Sequence, residues 1–217
     1  MTTAPASRVL TLVFTDLAGS TALKTERGDA AVGALIARHR EHVSELANHC
    51  HGTIIDWAGD GCFLTFETSS TAVTFALRLQ QIHHFEPDLP GVRIGIHMGE
   101  VSARPFEGTQ RVEGLAVDLA ARISGLAVPG QVLVSESVQH SAKPRLGIHE
   151  FGQPVRWETC GDYERKAIDD SADIRDPAPP ATTQPTAWGA APGGAARARA
   201  PRARPPEACA PLNHAPP

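Results

Sequence analysis

Long apolar runs are missing. No stretch approaches 18 residues, so the sequence holds no candidate membrane-spanning helix. The N-terminus MTTAPASR lacks the apolar core of a secretory signal, which makes the cytoplasm the natural compartment. Cysteines are few. Cys50, Cys62, Cys160 and Cys209 show no metal-type spacing and suggest no disulfide framework. Excess basic charge is also missing. The net charge is −4; the tail from Asp176 carries +2, which leaves −6 for the body. An acidic body argues against nucleic acid as the main partner. A hydrophobic content of 41% remains ample for a core, and 217 residues allow one domain with an appendage.

The most informative stretch is Val9 to Thr21, VLTLVFTDLAGST. Val9, Leu10, Leu12, Val13 and Phe14 form a short, β-branched run that reads as a strand. Asp16 sits where the strand stops. Gly19, Ser20 and Thr21 then supply a flexible backbone and a helix start. A carboxylate at a strand end beside free backbone N–H groups suits a metal bound to phosphates. A second acidic turn follows in IIDWAGDGCFLTF (Ile54 to Phe66). Two strand-like runs flank Gly-Asp-Gly, which predicts a hairpin with Asp60 at its tip. If adjacent in one sheet, Asp16 and Asp60 would hold two divalent ions roughly 3.5–4 Å apart, a spacing used in phosphoryl transfer.

Residues 29 to 50 carry Val32, Leu35, Ile36, Val43, Leu46 and Ala47 on one helical face. His39 and His42 share a side of this helix and read as its solvated flank. A second helix spans 70 to 85. Val92 to His97 alternates as a strand, Pro105 to Val112 reads as a polar loop, and Gly114 to Leu126 as a helix. Asp118 and Arg122 lie one turn apart on it. A strand from Gln131, a short helix near Ser135 to Ser141, and a terminal hairpin from Arg145 to Tyr163 complete the body. The order β-α-β-β-α-β predicts an α+β, ferredoxin-like sandwich, with helices on one face of the sheet and the other face free to pair. Residues 1–7 are expected to be flexible and 8–165 to fold. Residues 166–217 are expected to be a disordered tail, because from Asp176 the chain holds 11 of the 18 prolines, 13 alanines and an ARARAPRARPP run.

FTDLAGST, the GDG hairpin, VRIGIHMGEV (Val92 to Val101), GLAVDLAARI (Gly114 to Ile123) and PGQVLVSE (Pro129 to Glu136) occur in this order. The set resembles the catalytic domain of the class III nucleotidyl cyclases, adenylate and guanylate, in their bacterial form, over about residues 8 to 160. The resemblance implies the class III cyclase fold, a ferredoxin-like core with extra C-terminal strands. It implies conversion of ATP or GTP to a 3′,5′-cyclic nucleotide and pyrophosphate. It further implies two Mg²⁺ or Mn²⁺ ions on Asp16 and Asp60, with the Leu17 carbonyl as an added ligand. Backbone N–H groups of Ala18, Gly19, Ser20 and Thr21 would hold phosphates, and Arg122 matches the transition-state arginine. Sites shared between two subunits imply a homodimer.

The sequence departs from the family pattern at four places. The base-reading Lys is replaced by Asp56 and its Asp partner by Arg111. The ribose-orienting Asn is replaced by Asp118. The phosphate-binding Lys expected around Glu150 to Gln153 is missing. Asp56 and Arg111 would either form an ion pair in the pocket or alter base selectivity, since guanine offers both donors and acceptors on its edge. Two readings stay open: a working cyclase of low activity, and a degenerate homologue that binds nucleotide or dimerises to regulate a partner. A diguanylate cyclase is disfavoured, because the Gly-Gly-acidic-acidic-Phe signature is absent.

Overall fold

Alternation along β1 (Ala6–Leu17) gives the molecule its two sides. Val13 and Leu17 pack into one apolar cluster, while Leu10, Leu12 and Phe14 pack into another. Successive strand residues point to opposite faces, so β1 must be a central strand covered on both. The structure is a computed structural model and describes residues 6–106, 109–146, 151, 155–163 and 172–178.

The elements that follow are α1 (Ser20–Arg27), α2 (Asp29–His49), β2 (Thr53–Ala58), β3 (Gly61–Phe66), α3 (Ser69–Phe85) and β4 (Val92–Phe106). Then come β5 (Thr109–Glu113), α4 (Leu115–Leu126), β6 (Val132–Ser135), α5 (Glu136–Ala142), β7 (Arg156–Tyr163) and β8 (Ala172–Ala178). The sheet order is β2-β3-β1-β4-β6-β8-β7, with β5 paired to β4. The first four strands with α2 and α3 make the βαββαβ core, and β1 runs antiparallel to both β3 and β4.

Helices α2 and α3 cover one face. Ala72, Val73, Phe75, Ala76, Leu77 and Leu79 of α3 are fully buried, which makes α3 the spine of the larger cluster. Gln80 of α3 is buried too, and its amide donates to the carbonyls of Val92 (2.9 Å) and Gln131 (3.1 Å). Each carbonyl also accepts a backbone N–H, from Gly130 and Ile94 respectively, so the amide supplies a second donor to each and ties α3 to the strand ends.

The other face is not wholly free, contrary to the expectation from the sequence. Helix α4 lies on it, packing Ala116 and Ala120 with Leu10, Leu12 and Val101. The approach is close because Gly95 of β4 has no side chain. A Cβ there would fall 2.1 Å from the Ser124 nitrogen. Among the described residues, the part of this face around Phe14, Ile55 and Phe63 stays half-exposed.

Four further expectations are corrected. His39 is fully buried, not solvated. It lies on the same stripe as Val32 and Val43 and is received by His83 of α3. The Pro90 carbonyl faces His83 Nδ1 at 2.7 Å and can only accept, so Nδ1 donates. His83 Nε2 then accepts from His39 Nδ1 at 3.0 Å, and His39 Nε2 is left buried without a partner. Burial drives His39 down to about 3, and it lowers His83 as well, so both rings are neutral. Second, the loop expected at 105–112 is a strand pair, Ser102↔Glu113 through Phe106↔Thr109, with residues 107 and 108 outside the described set. Third, among the described residues β7 pairs not within 145–163 but with β8, inside the stretch expected to be disordered from 166. Backbone pairing to β6 and β7 overrides composition there. The rest of the tail and residues 1–5 lie outside the described residues. Fourth, Cys160 is disulfide-bonded, where the cysteine spacing suggests no disulfide framework.

Candidate active site

The register of β1 places the first acidic residue. Thr15 pairs with Cys62 of β3 and Asp16 with Arg93 of β4. Asp16 therefore ends its strand between Arg93 on one side and the β2–β3 turn on the other. Arg93 Nη2 donates to Asp16 Oδ2 in a partly exposed ion pair. The second oxygen, Oδ1, looks toward Gly61, where an added Cβ would lie 3.8 Å from it.

Asp60 sits next to Gly61 in the two-residue turn between Ala58 and Gly61. Gly59 takes φ +65, a conformation that a side chain disfavours, so the tight turn needs glycine at that position. Asp60 Oδ2 is buried and has no hydrogen-bond partner. Thr15 Oγ1, Arg93 Nε and Arg40 Nε are likewise buried without partners. Thr15 and Arg40 belong to the face covered by α2 and α3, so of these atoms Asp60 Oδ2 and Arg93 Nε are the ones that bear on the side where Asp16 points. Buried polar atoms are normally satisfied, and such orphans mark a place where a ligand completes the set. Among the described residues no group of three or more His, Cys, Asp and Glu could hold a metal. The two carboxylates would thus need backbone carbonyl, water or phosphate oxygens as further ligands, an oxygen set that fits Mg²⁺ or Mn²⁺. Cys62, one residue past Gly61, is no thiolate ligand; burial pushes its thiol up to about 12.

The turn after β1 differs from the expectation in one donor. The Ala18 N–H already donates to the Gly91 carbonyl at 2.8 Å, so it is not offered to a phosphate. Gly19 caps α1 in the left-handed region at φ 69, with no side-chain cap, and α1 opens at Ser20 and Thr21. The first N–H groups of a helix have no intrahelical partner.

Asp56 shares a face with Asp16. A bulge in β2 pairs Ile54 with Leu64 but Asp56 with Phe63, leaving Ile55 as the extra residue. Phe63 stacks on Phe14, with ring centroids 4.5 Å apart and planes 6° apart. The row Asp56–Phe63–Phe14 therefore lies on the side of the sheet that carries α4, where Asp16 also points. Asp56 Oδ1 accepts from the Trp57 N–H at 2.8 Å. Arg111 of β5 is half-exposed and its Nε lies 2.6 Å from Glu113 Oε1. Asp118 and Arg122 are exposed on α4, over the same side of the sheet. The region expected to hold a phosphate-binding Lys falls largely outside the described residues.

Two residues of this cluster were not found from the sequence. Arg93 is separated from Asp16 by 77 positions, and only the register brings them together. Arg40 of α2 donates from Nη2 to the Gly59 carbonyl and lies over the Trp57 ring, 4.9 Å from its centroid.

The chain resembles several known proteins. An adenylate cyclase of Streptomyces griseus is 28% identical over 136 residues, 60% of this chain and 33% of the relative. This chain thus spans about a third of the relative's length. An adenylyl cyclase from P. aeruginosa superimposes with a TM-score of 0.71 at 19% identity, covering 85% of this chain and 99% of the other. A structure from Silicibacter pomeroyi described as an adenylate/guanylate cyclase/hydrolase gives 0.66 at 25% identity, covering 81% and 99%. The model of the adenylate and guanylate cyclase catalytic domain matches residues 3–158, and the chain belongs to that family.

Proposed function

We propose that this domain cyclises ATP or GTP to the 3′,5′-cyclic monophosphate, releasing pyrophosphate, at sites shared within a homodimer in the cytoplasm. The observation that carries the reading is the placement of Asp16 and Asp60 at adjoining strand ends, with Asp60 Oδ2 buried and unpartnered. The two carboxylates, with the Leu17 carbonyl, would hold two Mg²⁺ or Mn²⁺ ions. Bound there, such ions supply Lewis-acid polarisation of the α-phosphate and the attacking 3′-hydroxyl.

This chain's own groups do the rest. Arg93, paired with Asp16 when no cation competes, is placed to meet triphosphate oxygens at the same strand end. Backbone N–H groups of Gly19, Ser20 and Thr21, at the positive end of α1, favour phosphate further. Arg122 of a second copy would offset charge building on the α-phosphate. Asp56 and Arg111 would read the base. An acidic group with a guanidinium fits the guanine edge better than adenine's, so GTP is the favoured base. The unit proposed to carry the activity is residues 8–165, extended by β8.

Asp118 favours a second reading, a degenerate module of little activity. A carboxylate facing the reacting phosphate repels it unless it is neutralised. One assay decides. Purified protein is incubated with ATP or GTP and Mn²⁺, and cyclic product is measured beside Asp60→Ala. Product well above that control supports the cyclase; equality with it leaves only the regulatory module.

A further inference from the structure

The tip of the β2–β3 hairpin is held from behind by a side chain of α2. Arg40 reaches it from the helix-covered face, opposite the face on which Asp16 and Asp56 lie. Its Nη2 donates to the Gly59 carbonyl. That carbonyl belongs to the peptide whose nitrogen is Asp60's own, so the bond acts on the plane that aims the Asp60 side chain. Its guanidinium also lies 4.9 Å over the Trp57 ring. The Trp57 N–H in turn holds the Asp56 carboxylate. One cation thus touches both the strand entering the turn and the turn itself, whose Gly59, at φ +65, belongs to a residue type with little conformational preference of its own.

We infer that Arg40 is a positioning residue for the metal end of the site, fixing the Gly59–Asp60 peptide so that the Asp60 carboxylate stays aimed at a divalent cation. The inference rests on the cyclase reading for the identity of the cation. Arg40 does not touch substrate. It acts through a backbone carbonyl, as outer-shell partners of metal ligands do. Guanidinium suits the task because its planar fork donates to the carbonyl while its face stacks on the indole. The sign of its effect separates positioning from plain charge. A cation close to a metal site weakens metal binding by repulsion, so deleting it should tighten binding if charge were all that mattered.

The test uses the full chain and Mn²⁺ alone as the probe, with bound Mn²⁺ read from the loss of the free-ion EPR signal. Thermal melts followed by circular dichroism report folding. Arg40→Met keeps the stem over Trp57 and removes the donor; Arg40→Lys keeps charge and a donor. Arg40→Met should weaken Mn²⁺ binding about tenfold, in the range found for outer-shell partners. Arg40→Lys should recover most of that loss. With triphosphate present, Arg40→Met should raise the Mn²⁺ concentration for half-maximal rate more than it lowers kcat at saturating Mn²⁺. Arg40→Met that binds Mn²⁺ as tightly as the parent, or more tightly, overturns the inference. If Arg40→Met does not fold, Arg40→Lys decides, and a folded Lys variant as weak as Asp60→Ala overturns it. Asp60→Ala that binds Mn²⁺ like the parent is a different failure: it removes the metal reading itself, and the role of Arg40 with it.

Discussion

Substituting alanine for Gly95 puts a methyl group under α4. The new Cβ would lie 2.1 Å from the Ser124 nitrogen and 2.5 Å from its Cα, where ordinary contact begins near 3.4 Å. The obstacle is helix backbone, which has no rotamer to yield, so α4 must retreat by about 1 Å. Overpacking of this kind costs about 1–3 kcal/mol. For a domain of this size that lowers Tm by about 2–4 °C per kcal/mol. The protein should therefore stay folded. Asp118 and Arg122 ride on α4, whereas Asp16 and Asp60 do not. With Arg122 in the transition-state role proposed for it, a displacement of about 1 Å costs on the order of 10²-fold in rate. Gly95→Ala should thus keep its Mn²⁺ binding, melt a few degrees lower, and lose about a hundredfold in cyclic-nucleotide formation measured by mass spectrometry. Gly99→Ala is the milder companion, since the one close approach of its Cβ would be to the Ala116 methyl, at 2.8 Å, with His97 Nε2 at an ordinary 3.6 Å. A folded Gly95→Ala enzyme within threefold of the parent rate would refute the coupling of α4 placement to chemistry. Loss of Mn²⁺ binding equal to that of Asp60→Ala would refute the separation of the two halves of the site.

Acid should unfold the protein through its buried histidines. The folded state holds His39 at about 3 against an ordinary 6.5, so below pH 6.5 the unfolded chain takes up a proton that the fold refuses. This part of the stability is complete above pH 6.5 and is lost as pH falls toward 3, by at most about 5 kcal/mol. Denaturant titrations at about pH 7 and about pH 5 should differ by about 2 kcal/mol from His39 alone. Stability that does not fall over that range contradicts the neutral pair. Gln80→Leu removes the second donor from the Val92 and Gln131 carbonyls, which keep the Gly130 and Ile94 N–H groups, and should destabilise by about 1 kcal/mol per lost bond in the same titration; a neutral result would mean that the amide bonds add nothing to the backbone ones. Asp118→Asn should raise kcat, toward the 10²–10³-fold, roughly, that one transition-state contact is worth, and an unchanged kcat would clear Asp118 as the defect.

The parts legible in the sequence are those written in local pattern. β1, α2, α3 and α4 announce themselves by apolar period, and the two acidic turns by glycine beside aspartate. Their meeting at one end of the sheet was also foreseeable, because the βαββαβ order puts β1 beside the β2–β3 hairpin. Pairwise register was not. Nothing local to VRIGIH says that Arg93 will face Asp16, and nothing in α2 says that Arg40 will bend to a turn 19 positions away. His39 was misread for another reason. It stands on the apolar stripe, seven residues after Val32 and four before Val43, and only its polarity argued for solvent. The neutral partner that makes its burial tolerable comes from α3. β8 was missed because Pro177 and its neighbours read as linker, while its place in the sheet depends on β6 and β7.

The bulge at Ile55 gives β2 one residue of slack. Removing Ile55 would straighten the strand yet leave Asp56, Trp57 and Asp60 on their present sides, since the ladder on either side of it is already in step. Removing a residue between Asp56 and the turn would instead reverse them, sending the carboxylate into the core and the indole onto the side of the sheet that carries α4. Insertions and deletions in this hairpin are therefore filtered by where they fall rather than by what they change. Substitution at position 56 leaves the register intact, whereas any change in strand length beyond it does not.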